Sequence, residues 1–78
     1  MSEPIFIDAR GHRCPVPTLR LRRALEEAGP GGRVRLLADD PMARIDVPHF
    51  ASEKGYVVAD SGELTSEPGL FFVVARPA

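Results

Sequence analysis

Four short apolar runs, each bounded by glycine, proline or aspartate, leave this chain few folds to adopt. They are Ile5-Phe6-Ile7, Arg33 to Ala38, Tyr56-Val57-Val58-Ala59 and Leu70 to Ala75. Each has strand length and is rich in β-branched, aliphatic or aromatic residues. Between the first two lies a stretch from Val16 to Ala28, stopped by Gly29-Pro30-Gly31-Gly32. Its Pro17, Leu21, Ala24, Leu25 and Ala28 recur at spacings of three and four, which is one face of a helix. A second helical stretch falls within Met42 to Lys54, with Gly55 as its stop. Asp40-Pro41 reads as a cap followed by a first-turn proline, and Asp46 as a second cap that places Pro48 in the first turn of the longer part.

The resulting order is βαβαββ. Strands one and two, joined through a helix, are expected to be parallel with a right-handed crossover. Strands three and four form a hairpin around Asp60 to Gly69. With both helices on one face of a four-stranded mixed sheet, the class is a two-layer α/β (α+β) sandwich. The 78 residues support one core and hence one domain over residues 1–78. The last strand, apolar on both faces, is a candidate surface for a weak homodimer.

Composition excludes several classes. The longest apolar run, Leu70 to Ala75, is far short of the roughly 20 residues that a membrane helix needs. Met1 to Pro4 is acidic and has no signal-peptide core, and a lone cysteine forms no internal disulfide. The expected location is the cytoplasm. Net charge is −1, which argues against direct nucleic-acid binding. Yet Arg10, Arg13, Arg20, Arg22 and Arg23 fall together in a segment without a single acid, and this segment holds the cysteine. No motif for a metal, a phosphate loop or an organic cofactor is present.

Cys14, within Gly11-His12-Arg13-Cys14-Pro15-Val16-Pro17, is the only thiol. Pro15 and Pro17 read as a stiff entry into helix one, putting Cys14 at or just before its N-terminus. Free N–H groups, the helix dipole and the charges of Arg13 and Arg10 are expected to lower its pKa. The carboxyl ends of parallel strands are the usual functional edge of such sheets. Cys14 leaves strand one there, beside the Asp39-Asp40-Pro41 loop that leaves strand two. A thiol acting without a second cysteine can carry a group or attack a substrate. Arg13 and Arg10 are candidates to hold the thiolate or to dock an acidic surface. Arg20, Arg22 and Arg23 are candidates for docking, or for surface pairs with Glu26 and Glu27. Leu19, off the apolar stripe, is a candidate partner contact. His12 is a candidate to tune the thiol, beside the plainer reading of a loop histidine.

The stretches DARGHRCPVP (Asp8 to Pro17) and DDPMARIDVPHF (Asp39 to Phe50) resemble the TusA/SirA-like sulfur-carrier family over nearly the whole chain. That family carries Cys-Pro-x-Pro at the start of helix one and a downstream Asp-Pro-x-Ala…Asp-Ile-Pro-x-Phe/Trp stretch. Ala51 stands where some members have a second cysteine, and His12 where leucine is common. The resemblance implies a fold similar to the C-terminal domain of bacterial initiation factor three. It also implies a sulfane sulfur carried as a persulfide on Cys14. A cysteine desulfurase or a rhodanese-type protein would donate it, and an acceptor protein would take it, for tRNA thiolation, molybdenum-cofactor synthesis or sulfur metabolism. No cofactor is implied. Two other readings stand beside it: a thiol enzyme acting on a small electrophile, and a regulatory or interaction module without catalysis.

Overall fold

The computed structural model describes residues 4–78; the acidic opening Met1 to Glu3 lies outside the described residues. The elements are β1 (Ile5–Asp8), α1 (Val16–Ala28), β2 (Arg33–Ala38), α2 (Ala43–Lys54), β3 (Val57–Glu63) and β4 (Leu70–Ala75). One mixed sheet has the order β1-β2-β4-β3. β1 and β2 are parallel, pairing Ile7 with Leu36. β2 and β4 are antiparallel, pairing Leu36 with Phe72. Among the described residues no helix is long and apolar enough to cross a membrane.

Period-two alternation gives the sheet one helix-facing side. Ile7, Val34, Leu36, Leu70, Phe72 and Val74 are buried there against Leu21 and Leu25 of α1 and Val47, Phe50 and Ala51 of α2. The expected stripe on α1 holds: Pro17, Leu21 and Leu25 are buried, and Ala24 packs at the edge. Gly29 ends the helix at φ 79, its N–H returning to the Leu25 carbonyl. This conformation suits glycine, which has no Cβ to clash. Gly55 ends α2 in the same left-handed region, at φ 72.

Two expectations need correction. β3 runs to Glu63, beyond the apolar Val57 to Ala59. Asp60, Ser61 and Gly62 are weak strand formers, but β4 offers a full ladder, pairing Ser61 with Phe72 and Gly62 with Phe71. Tertiary pairing overrides local propensity here. A bulge between Val58 and Asp60 absorbs the mismatch. Gly62 suits the space available, since a Cβ there would lie 3.1 Å from the Phe71 ring and press on it. The hairpin turn is correspondingly shorter and closes from Leu64 N–H to the Gly69 carbonyl at 2.9 Å.

The second correction concerns α2, which begins at Ala43, so Asp46 lies inside its first turn and caps nothing. Pro48 is therefore inside the helix. Its missing N–H leaves the Arg44 carbonyl without its usual partner, which is tolerable because Pro48 and Arg44 are both exposed. On the sheet's other side the Arg35 guanidinium lies 4.7 Å above the Phe71 ring, covering part of the apolar face that β4 presents there.

Candidate functional site at the carboxyl ends of the parallel strands

The loops leaving β1 and β2 are bound to each other through two aspartates. Both Asp39 carboxylate oxygens accept from the Gly11 N–H at 3.0 Å. Asp40 accepts from the Cys14 N–H at 3.0 Å and, through its other oxygen, from the Met42 N–H at 2.9 Å. Asp40 thus caps the turn containing Pro41 that leads into α2, and at the same time fixes the backbone of the cysteine. These N–H bonds hold the Asp40 carboxyl below its ordinary pKa, with Arg13 adding a smaller charge effect.

Cys14 is half-buried and packs against the edge of the core. The Cys14–Pro15 peptide bond is cis. Asp46, in the first turn of α2, faces the thiol across the loop closely enough to act on its ionisation. The lowered pKa expected from the sequence is therefore corrected. Burial first, then the neighbouring carboxylates of Asp46 and Asp40, push the thiol up to about 11. Two of the expected sources of positive potential, the helix N–H groups and Arg10, are weaker than the sequence suggested. Pro15 and Pro17 supply no N–H, and the Val16 N–H is spent on the Arg13 carbonyl at 2.9 Å. Arg10 turns away to Asp8 at 2.7 Å and Glu67 at 2.9 Å, and these partners raise its own pKa.

The other singled-out residues divide clearly. Arg13 is exposed beside Cys14, with Asp40 as its electrostatic neighbour. Arg20 donates to the Asp8 carbonyl at 3.1 Å. Arg22 and Arg23 pair with Glu26 and Glu27 one turn on, at 3.3 and 3.5 Å. Leu19 is 55% exposed. It lines a hollow of about 270 Å³ with Pro15, Thr18, Arg22, Asp46, His49, Phe50 and Glu53. Pro17 is in the core, and Pro48 lines a different hollow with Arg44 and Phe72. His12 is exposed in the loop, while His49 pairs with Glu53 at 3.4 Å. Among the described residues no three His, Cys, Asp or Glu side chains converge as a metal ion would need.

Sequence reasoning missed Thr18, Asp46 as a neighbour of the thiol, and the wall supplied by His49, Phe50 and Glu53. The last four belong to α2 and meet α1 only after folding. Thr18 had a local signal: four residues after Cys14, it sits above it on the same side of the first turn.

The family model described as Sulfurtransferase TusA matches residues 5–74, a span that includes both loops and all six elements up to β4. The chain belongs to the TusA family. Among named members it is 32% identical over 65 residues to the sulfur carrier protein TusA of Pseudomonas paraeruginosa, covering 81% of this chain and 82% of the relative. To the sulfur carrier protein TusA of Pseudomonas syringae it is 35% identical over 71 residues, covering 81% and 84%. The crystal structure of a SirA-like protein from Desulfitobacterium hafniense superposes with a TM-score of 0.78 at 32% identity, covering 95% of this chain and 99% of that one. The family's fold is thus the fold described above, with the Cys14 loop and the Asp40 loop inside the matched region.

Proposed function

We propose that the protein is a sulfur carrier that holds one sulfane sulfur as a persulfide on Cys14 and passes it to the thiol of an acceptor protein. The observation that carries this reading is the sole thiol, half-buried in a loop that Asp40 clamps at the carboxyl ends of the parallel strands. Family membership and the names of its relatives support the same role.

In the loading step, Asp46 accepts the Cys14 proton as the sulfur attacks the outer sulfur of a donor persulfide. The Cys14–sulfur bond forms while the donor's S–S bond breaks. The departing donor thiolate then takes up the proton. A donor persulfide and a Cys14 thiol become a donor thiol and a Cys14 persulfide, with no net oxidation and no cofactor. A persulfide is a stronger acid than the parent thiol, so the loaded carrier ionises more readily than the empty one. The outer sulfur then meets the acceptor by the reverse chemistry.

A thiol held protonated at rest is a poor nucleophile toward stray electrophiles, because the thiolate is the reactive form. That observation favours a carrier over an enzyme acting on small electrophiles. The donor is a cysteine desulfurase or a rhodanese-type protein, docking over Arg13 and the Leu19 hollow.

The test is intact-protein mass after incubation with a cysteine desulfurase, pyridoxal phosphate and cysteine, and separately with thiosulfate and a rhodanese. Wild type should gain one sulfur atom that reductant removes, and Cys14→Ser should gain none. Absence of the gain in wild type with both donors would overturn the carrier reading.

A further inference from the structure

Thr18 stands in the first turn of α1, and its hydroxyl is buried without a hydrogen-bond partner among the described residues. Inside a helix a threonine hydroxyl ordinarily bonds to the carbonyl four residues earlier. Four residues before Thr18 is Cys14, which precedes α1, so the helix offers this hydroxyl no such acceptor. Buried polar atoms are nearly always paired, so an orphan requires a reason. The Cys14 sulfur is the neighbouring acceptor whose ionised form this hydroxyl favours, although no hydrogen bond joins them in the empty protein.

The surroundings show why such a donor matters. Asp46 and Asp40 both place negative charge near the sulfur. Of the first helical N–H groups, two are deleted by proline and a third is spent on Arg13. The guanidinium of Arg10 is committed to Asp8 and Glu67. An anionic sulfur at this place therefore has two carboxylates beside it and one unused buried hydroxyl. A hydroxyl hydrogen rotates freely to meet a new acceptor.

We infer that Thr18 is a positioning residue for the loaded carrier: its hydroxyl donates to the sulfur chain on Cys14 and holds the anionic sulfur against the first turn of α1. The empty carrier thus keeps its thiol proton at rest, and the loaded carrier accepts one hydrogen bond from Thr18. This inference rests on the sulfur-carrier reading.

Thr18→Val removes the hydroxyl at nearly constant shape, and Thr18→Ser retains it. The first arm measures the rate of Cys14 alkylation by iodoacetamide at pH 8 on the empty protein, followed by mass. A hydrogen bond to an ion is worth about tenfold or more in ionisation, and higher nucleophilicity of the less stabilised thiolate returns part of it. Thr18→Val should therefore react roughly three- to fivefold more slowly, and Thr18→Ser close to wild type. The second arm loads each protein with inorganic polysulfide, removes the excess and follows loss of the added sulfur mass. Thr18→Val should shed sulfur several times faster than wild type, with Thr18→Ser restoring retention. Circular dichroism confirms that each variant is folded. Equal sulfur retention in folded Thr18→Val and wild type would overturn the inference, whatever the alkylation arm shows. Wild type that takes up no sulfur would instead overturn the carrier reading, while the alkylation arm would still decide whether the hydroxyl acts on the sulfur.

Discussion

At the scale of single residues, the chemistry of Cys14 is set by what faces it across the loop. Burial and the Asp46 carboxylate lift its pKa from an ordinary 9.0 to about 11. Asp46→Asn removes the negative charge and the proton acceptor together. Alkylation of the empty thiol at pH 8 should become faster, because the thiolate fraction rises. Sulfur uptake from a persulfide donor should become slower, because nothing takes the proton. The opposite signs separate a proton acceptor from a merely structural carboxylate. A raised folded-state pKa also means that the folded chain holds this proton more tightly than the unfolded chain. Its stabilising contribution is complete below pH 9 and is lost as pH rises through about 11. Guanidinium midpoints should therefore fall more between pH 8 and pH 10.5 for wild type than for Cys14→Ala.

At the scale of elements, the site depends on the seating of α1 and on the clamp between the two loops. Leu25 is fully buried beneath α1, so Leu25→Ala leaves a cavity where that helix meets the sheet. The expected cost is about 2–5 kcal/mol, read as a lower denaturant midpoint with an unchanged slope. Asp40 bonds the Cys14 and Met42 N–H groups at once. Asp40→Ala should lower the melting temperature and loosen the Cys14 loop, seen as faster amide exchange at Cys14 and Met42 with the sheet amides unchanged. Gly62 lies under the Phe71 ring, so Gly62→Val should destabilise the hairpin by displacing that ring.

At the scale of the whole molecule, charge that looked like an anion-binding cluster is used largely to tie the fold together. Asp8 at the end of β1 and Glu67 in the β3–β4 turn both hold Arg10, and Arg20 joins α1 to the Asp8 carbonyl. The Arg10 side chain and backbone bonds depress the Asp8 pKa from 3.8 to about 2. The contribution of this depressed carboxylate is complete above pH 3.8 and is lost as pH falls through about 2. Because Asp8 is exposed, salt weakens it. Acid titration of the melting temperature should show a shallower fall for Asp8→Asn than for wild type, with the difference shrinking at high ionic strength.

Much of this protein was legible in one dimension, for a physical reason. Strand and helix identities follow from periodicity among neighbours in the chain. Gly29 and Gly55 as stops, and Pro15 and Pro17 at the entry of α1, follow from the backbone freedom of single residues. These local rules sufficed for βαβαββ, for the helix-facing core and for a thiol at the carboxyl edge of the parallel strands. Interactions between residues distant in the chain were decided only by folding. Asp46 reads as a cap in sequence, yet α2 begins three residues earlier and turns its carboxylate onto Cys14. Arg10 reads as a partner for the thiol, yet Glu67 arrives from the far hairpin to hold it. Asp60 to Glu63 reads as a turn, yet β4 completes its ladder. The sequence by itself determined where the thiol would sit. The tertiary structure decided which groups surround it and which way they push its pKa, because charge and desolvation act through space and not along the chain.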